Sequence, residues 1–244
     1  MASSSGRFSF NGAIWPSSSN SGFAHEALAR SVKTFKAREL HTQSQRAPAA
    51  PWRPASFSNL SNCDTAIQPH ADASNFSSSL SKAEAYAQLL ASLTSLLEGQ
   101  RNWVANTANA ASLLWHMFHS LPPPSSSVNW SGFYVLDPTD PQKQLILGPF
   151  MGKVACQTIR IGKGVCGAAA EGEGKTVLVK DVEEYPGHIA CDSDSRSEIV
   201  VPIKSGGKVV GVLDIDCAEV GGFDGQDQQG LEDIAELLGK SCDW

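Results

Sequence analysis

No stretch of this 244-residue sequence approaches the ~20 consecutive apolar residues that a membrane-spanning helix needs, so it is not an integral helical membrane protein. Its six cysteines, at 63, 156, 166, 191, 217 and 242, form no Cys-x-x-Cys pair, which argues against zinc-ribbon and thioredoxin-type sites. Walker and dinucleotide spacings are missing too: Gly162-Lys163-Gly164-Val165-Cys166-Gly167 is glycine-rich but fits neither. No internal repeat is present. Positive charge is scarce, with 19 Lys/Arg against 25 Asp/Glu, and the net charge of −6 argues against a general nucleic-acid binder. What remains is a chain long enough for one domain with an appendage. With 41% hydrophobic residues, it can form a core that needs no disulfide scaffold.

The charge is unevenly placed. Residues 1–78 hold seven Lys/Arg against four Asp/Glu, a net of +3, and the rest hold twelve against twenty-one, a net of −9. The first segment is rich in serine and proline and cannot bury enough apolar area to offset its ordering entropy, so 1–78 is expected to be a disordered extension. It has no acidic residue before Glu26, and Ala24–Leu40 fits a basic amphipathic helix. That pattern looks like an organelle transit peptide, for a plastid or a mitochondrion; the competing reading is a plain tail in the cytosol.

Order is expected from Ser79. Ser81-x-x-Glu84 reads as a capping box before Leu89, Leu90, Leu93, Leu96 and Leu97 at helical spacing. A second helix is expected from Asn102 to His119, ended by Pro122-Pro123-Pro124. Strands are expected at 128–136, 144–150, 158–161, 176–180, 198–204 and 208–216, the last two joined through Ser205-Gly206-Gly207. A short helix at 164–170 and a final helix at 224–240 complete an α+β domain, with helices packed on a central antiparallel sheet.

Cys156, Cys166 and Cys191 each lie beside glycine or alanine, which leaves a thiol reachable. Three readings compete: small buried hydrophobes, a zinc site of these cysteines with His188, and redox catalysis in which one thiolate attacks and a second resolves a disulfide. The zinc reading lacks the close ligand spacing of a knuckle. Asp214 and Asp216 share a face of one strand, and hairpin pairing brings Glu198 near them. Three carboxylates gathered there repel one another, so at least one has a raised pKa; such a cluster binds an ammonium group or acts as a general acid. The alternative is a solvated polar face. Trp130 and Tyr134 share a face with Gly132 between them, leaving space for a methyl or soft sulfur group, unless they are simply core aromatics.

The motifs Asn129-Trp130-x-Gly132-Phe133-Tyr134, Gly148-Pro149-Phe150-x-Gly152-Lys153-x-Ala155-Cys156, Gly162-Lys163-Gly164-Val165-Cys166-Gly167, Pro186-Gly187-His188-Ile189-Ala190-Cys191-Asp192, Ser197-Glu198-Ile199-Val200 and Gly211-Val212-Leu213-Asp214-Ile215-Asp216 together resemble the free methionine-(R)-sulfoxide reductases, which are GAF-domain enzymes. The resemblance covers about residues 79–241. It implies a GAF-like catalytic domain over 79–244 that reduces free L-methionine-(R)-S-oxide to methionine. It implies Cys191 as nucleophile and Cys156 as resolving thiol, with Cys166 as the alternative. It gives Glu198, Asp214 and Asp216 to the substrate ammonium and the sulfoxide oxygen, and Trp130 and Tyr134 to the methyl-sulfur end. It further implies no resident cofactor or metal, re-reduction by thioredoxin in a reducing compartment, and a second copy of the chain as an admissible homodimer partner. Cys217 should point away from the site. A sensory GAF module that binds a small ligand without catalysis is the rival reading.

Overall fold

The computed structural model describes residues 71–189 and 192–244. Expectations placed on residues 1–70, the Ala24–Leu40 helix and Cys63 among them, and on Cys191 lie outside the described residues. No described helix is long and apolar enough to cross a membrane.

Local signals start the elements. Ser81 caps helix α1 (Lys82–Leu97) by accepting from the Glu84 N–H, while the Glu84 carboxylate accepts from the Ser81 N–H at 2.9 Å, as the capping-box spacing predicts. Asn102 caps α2 (Trp103–Ser120) by accepting from the Ala105 N–H at 3.1 Å. The strands are β1 (Val128–Leu136), β2 (Gln144–Gly152), β3 (Thr158–Arg160), β4 (Val177–Val179), β5 (Ser197–Ser205) and β6 (Lys208–Cys217). Between β3 and β4 lies the short α3 (Gly164–Ala170), and α4 (Gly225–Ser241) follows β6 behind the N-cap Asp224. Short 3-10 turns at Ala71–Ser74, Ser125–Ser127 and Val182–Glu184 carry no periodicity that a sequence reading could find.

The strands form one antiparallel sheet in the order β3-β2-β1-β6-β5-β4, with β1 and β6 at its centre. Alternation along the strands gives the sheet two faces with separate tasks. On one face Phe133, Ile199, Val201, Ile203, Leu213, Ile215 and Cys217 pack against Leu89 and Leu93 of α1, Leu114 and Phe118 of α2, and Leu231, Ile234 and Leu238 of α4. Lys82 and Tyr86 of α1 close this layer by binding the buried Asp227 of α4 at 2.6 and 3.0 Å. The other face carries Trp130, Tyr134, Val200 and Val212 and is covered by α3 through Val165, Cys166, Ala169 and Ala170. Cys217 therefore sits on the opposite face from Asp216, as the alternation requires.

The boundary expected at Ser79 falls late. Ala71–Ser74 already forms a 3-10 turn, Ala73 and Phe76 pack against the helical core, and the Gln88 side chain donates to the Asn75 carbonyl at 3.0 Å. The serine-rich composition hid these two apolar contacts. A chain starting at Ser79 should be less stable than one starting at Ala71 by about 1–2 kcal/mol, the burial of Phe76 and Ala73. Thermal melting of the two should differ by a few degrees; equal melting temperatures would show that the turn contributes nothing.

Candidate active site

Three cross-strand rows build the second face of the sheet. Trp130, Asp216 and Glu198 lie side by side on β1, β6 and β5; Gly132, Asp214 and Val200 form the next row; Tyr134, Val212 and Pro202 form the third. Glu198 and Asp216 are direct partners because the β5–β6 hairpin has an irregularity between Ile203 and Lys204 that absorbs one residue. The hairpin count thus brings the three carboxylates together as expected.

They border a cavity of about 290 Å³, the size of a small metabolite site, walled by Trp130, Tyr134, Cys156, Cys166, His188 and the three acids. Glu198 and Asp214 are 6% and 5% exposed, and Cys166 is 4% exposed. Cys166 Sγ donates to Asp214 Oδ2 at 3.1 Å, while Asp214 Oδ1, buried, has no partner. His188 Nε2 lies 3.3 Å from Glu198 Oε2. Burial is the main cause that lifts all three acids. It takes Glu198 to about 7 with help from the Asp216 charge, against the opposing pull of His188. Asp214 is pushed well above the usual carboxylate range by burial and then by Glu198, and Asp216 by burial and then by Asp214. The expectation of a raised pKa holds for the whole cluster. Near neutral pH it presents carboxylic acids as well as carboxylates, so it can both hold a cation and give up a proton.

Cys166 sits where it does because α3 lies against the end of β3. Gly167 has no room for a Cβ, which would stand 2.2 Å from the Arg160 carbonyl, and its own carbonyl accepts from the Gly162 N–H at 2.8 Å. Burial, followed by the charges of Asp214 and Glu198, pushes the Cys166 thiol well above its ordinary value, so it stays protonated and serves as a donor to Asp214. Cys156 is different. It is half-buried on the segment after β2, a free thiol on the cavity wall, and its carbonyl accepts from the Tyr134 hydroxyl at 3.0 Å.

The aromatic wall departs from expectation in one respect. The space above Gly132 is filled rather than open: a Cβ there would stand 2.6 Å from the Trp130 ring and 2.3 Å from Phe150 Cβ. The Trp130 ring stacks on Phe150 at 5.3 Å and on Tyr134 at 5.8 Å, and its indole N–H donates to the Lys153 carbonyl at 3.2 Å. Gly132 thus lets the indole lie flat on the sheet as a fixed apolar wall.

Several contributors went unnoticed in the sequence. The sequence marks His188 as a zinc-ligand candidate alone, whereas the fold pairs it with Glu198. Asn129 donates to Ser195 Oγ at 3.0 Å, and Ser195 hydrogen-bonds Asp216. Lys153 ties its segment to the 192–194 turn through Asp192 at 3.2 Å and Asp194 at 2.6 Å. Each partner lies on another segment, 10 residues away for His188, 21 for Ser195 and 39 or more for Lys153 and Asn129, so no local pattern marks them. For metal binding, the ligand atoms of Cys166, Glu198 and Asp214 lie within 4.8 Å of one another; Cys156, part of the zinc set weighed from sequence, is not in that group.

The GAF domain model matches residues 107–241. The free methionine-R-sulfoxide reductase of Saccharomyces cerevisiae is 54% identical over 174 residues, covering 71% of this chain and 94% of the yeast protein. A solved structure described as a GAF domain superposes with a TM-score of 0.68 at 52% identity, over 72% of this chain and 97% of that one. The free methionine-R-sulfoxide reductase of Neisseria meningitidis, solved in complex with its substrate, superposes with a TM-score of 0.60 at 41% identity, over 67% and 92%. The domain match and the near-complete coverage of the yeast enzyme place this chain in the GAF-domain family of free methionine-(R)-sulfoxide reductases, oxidoreductases that act on a sulfur group.

Proposed function

We propose that this protein reduces free L-methionine-(R)-S-oxide to methionine with its own thiols and is returned to the reduced state by a dithiol protein of the thioredoxin class. The observation that carries this reading is the row of buried acids at a cavity of amino-acid size, beside a protonated thiol and a half-buried free one. The names of the relatives supply the substrate. A free amino acid brings an ammonium group that a peptide-bound residue lacks, and a multi-carboxylate site suits it.

The Cys191 thiolate attacks the sulfoxide sulfur while an acid of the Glu198–Asp214–Asp216 cluster protonates the oxygen, which is otherwise a poor leaving group. The substrate S–O bond then breaks, the hydroxyl passes to the Cys191 sulfur as the bond between the two sulfurs breaks, and methionine departs with that electron pair, leaving Cys191 as a sulfenic acid. A second thiol attacks that sulfur, water leaves, and a disulfide forms, which the external dithiol then reduces. Cys156 is the better resolving thiol. It is free and half-buried, whereas Cys166 is held protonated against Asp214 and serves to fix that carboxylate. Trp130 and Tyr134 hold the methyl-sulfur end against an apolar wall.

Turnover of free methionine-(R)-sulfoxide with thioredoxin and its reductase is the direct test; a protein that binds the compound without consuming it would be a sensory module instead. Cys156→Ser should stop multiple turnover with thioredoxin yet release about one methionine per chain in a single turnover. Normal cycling of that variant would transfer the resolving role to Cys166.

A further inference from the structure

The charged and acidic side chains at the cavity are almost all engaged. Asp192 is held by Lys153, Glu198 by His188, Asp214 by Cys166 and Asp216 by Ser195. Arg160 and Lys163 are the exceptions. Both line the cavity, and neither side chain has an ion-pair or hydrogen-bond partner among the described residues.

The backbone brings these two cations together. The Lys163 N–H donates to the Arg160 carbonyl at 3.0 Å, closing a four-residue turn, and Gly162 occupies its third position with φ +77°, a conformation that favours glycine. The ends of such a turn stand within about 7 Å of each other. The turn is anchored by the bond from the Gly162 N–H to the Gly167 carbonyl at 2.8 Å. With their backbones held this close, the two cationic side chains can converge on one anion, whose charge offsets their mutual repulsion.

We propose that the Arg160–Lys163 turn is the clamp for the substrate α-carboxylate and that it confers the preference for a free amino acid. The inference rests on the activity proposed above. An α-amino acid carries its ammonium and carboxylate on one carbon, so the site needs opposite charges side by side. The acid row with the orphaned Asp214 Oδ1 supplies one sign, and the turn supplies the other. The long side chains of Arg160 and Lys163 are exposed at the mouth and can fold down over a bound ligand. A residue within a peptide has no α-carboxylate to offer, so the clamp selects against it independently of cavity size.

The test compares methionine-(R)-sulfoxide with its α-amide, which keeps the ammonium and lacks the carboxylate. Kinetics are measured for the full-length wild type, Arg160→Gln, Lys163→Gln and the double variant. Each single change should raise KM for the acid by about three- to tenfold with kcat within about twofold, as expected for exposed charge pairs. The wild type should favour the acid over the amide through KM, and the double variant should treat the two alike. Added salt should raise the wild-type KM for the acid and leave that of the double variant flat, a response that a merely structural turn would not give. A wild type that reduces both compounds equally well, or a double variant that keeps the preference for the acid, overturns the clamp and leaves the activity standing. A wild type that reduces neither compound overturns the activity and the clamp with it.

Discussion

Replacing Cys191 by serine should abolish reduction of free methionine-(R)-sulfoxide, a loss of about 10⁴-fold or more, however much dithiol is supplied. External thiols can reopen a disulfide, but they cannot make the first attack from within the pocket. A serine hydroxyl stays protonated at neutral pH and is a poor nucleophile toward sulfur. Single-turnover assays separate this variant from Cys156→Ser, which should still release its one equivalent. Methionine released by Cys191→Ser at even a tenth of the wild-type rate would move the nucleophile to another cysteine. Mass spectrometry of the reacted wild type should then find the sulfenic oxygen, or the disulfide that follows it, on that residue.

The second large effect belongs to Glu198. Glu198→Gln should lower kcat/KM by about 10²–10³, the usual loss when a general acid is removed. In the wild type, activity should fall on the alkaline side as the buried acids lose their protons, with an apparent pKa that belongs to the coupled cluster. Stability should follow the same titration. A carboxyl whose folded pKa is raised binds its proton more tightly in the native state. Its stabilising contribution is complete below the unfolded value of 4.5 and is lost as pH rises through about 7. Asp214 and Asp216, also raised mainly by burial, contribute in the same direction. The wild type should therefore melt at a lower temperature at pH 8 than at pH 5. Glu198→Gln, with no proton to lose, should gain on the wild type as pH rises. A difference in melting temperature that stays constant across this range would mean that Glu198 is ionised throughout.

What the sequence made legible was whatever depends on near neighbours and on counting. The capping box at Ser81, the strand at 128–136 and the helix at 164–170 are local patterns, and the structure has them at those positions. The meeting of Glu198 with Asp216 followed from counting outward from the Gly206-Gly207 turn, and the hairpin irregularity near Ile203 made up the odd residue. Packing decided the rest. Gly132 suggested an empty slot because sequence shows the missing side chain and not the indole that lies over it. Cys166 read as a reactive thiol because its small neighbours were visible, while its burial against Asp214 depends on how α3 docks. His188 and the Arg160–Lys163 turn have the same origin: their meaning lies in what faces them across the cavity.

Strand β6 divides two unrelated duties between alternate residues. Leu213, Ile215 and Cys217 hold the helical layer, while Asp214 and Asp216 face the cavity and Val212 packs beneath α3 on the same side. Such a strand reads like a code with a frame of two. Inserting one residue near Gly211 would turn the carboxylates into the helical core and the leucine and isoleucine into the pocket, so fold and chemistry would fail together. Substitutions on the helical face leave the pocket's residues in place, and those on the pocket face leave the core intact. Point changes can therefore diversify the two faces separately, while changes of length within this strand are closed to both.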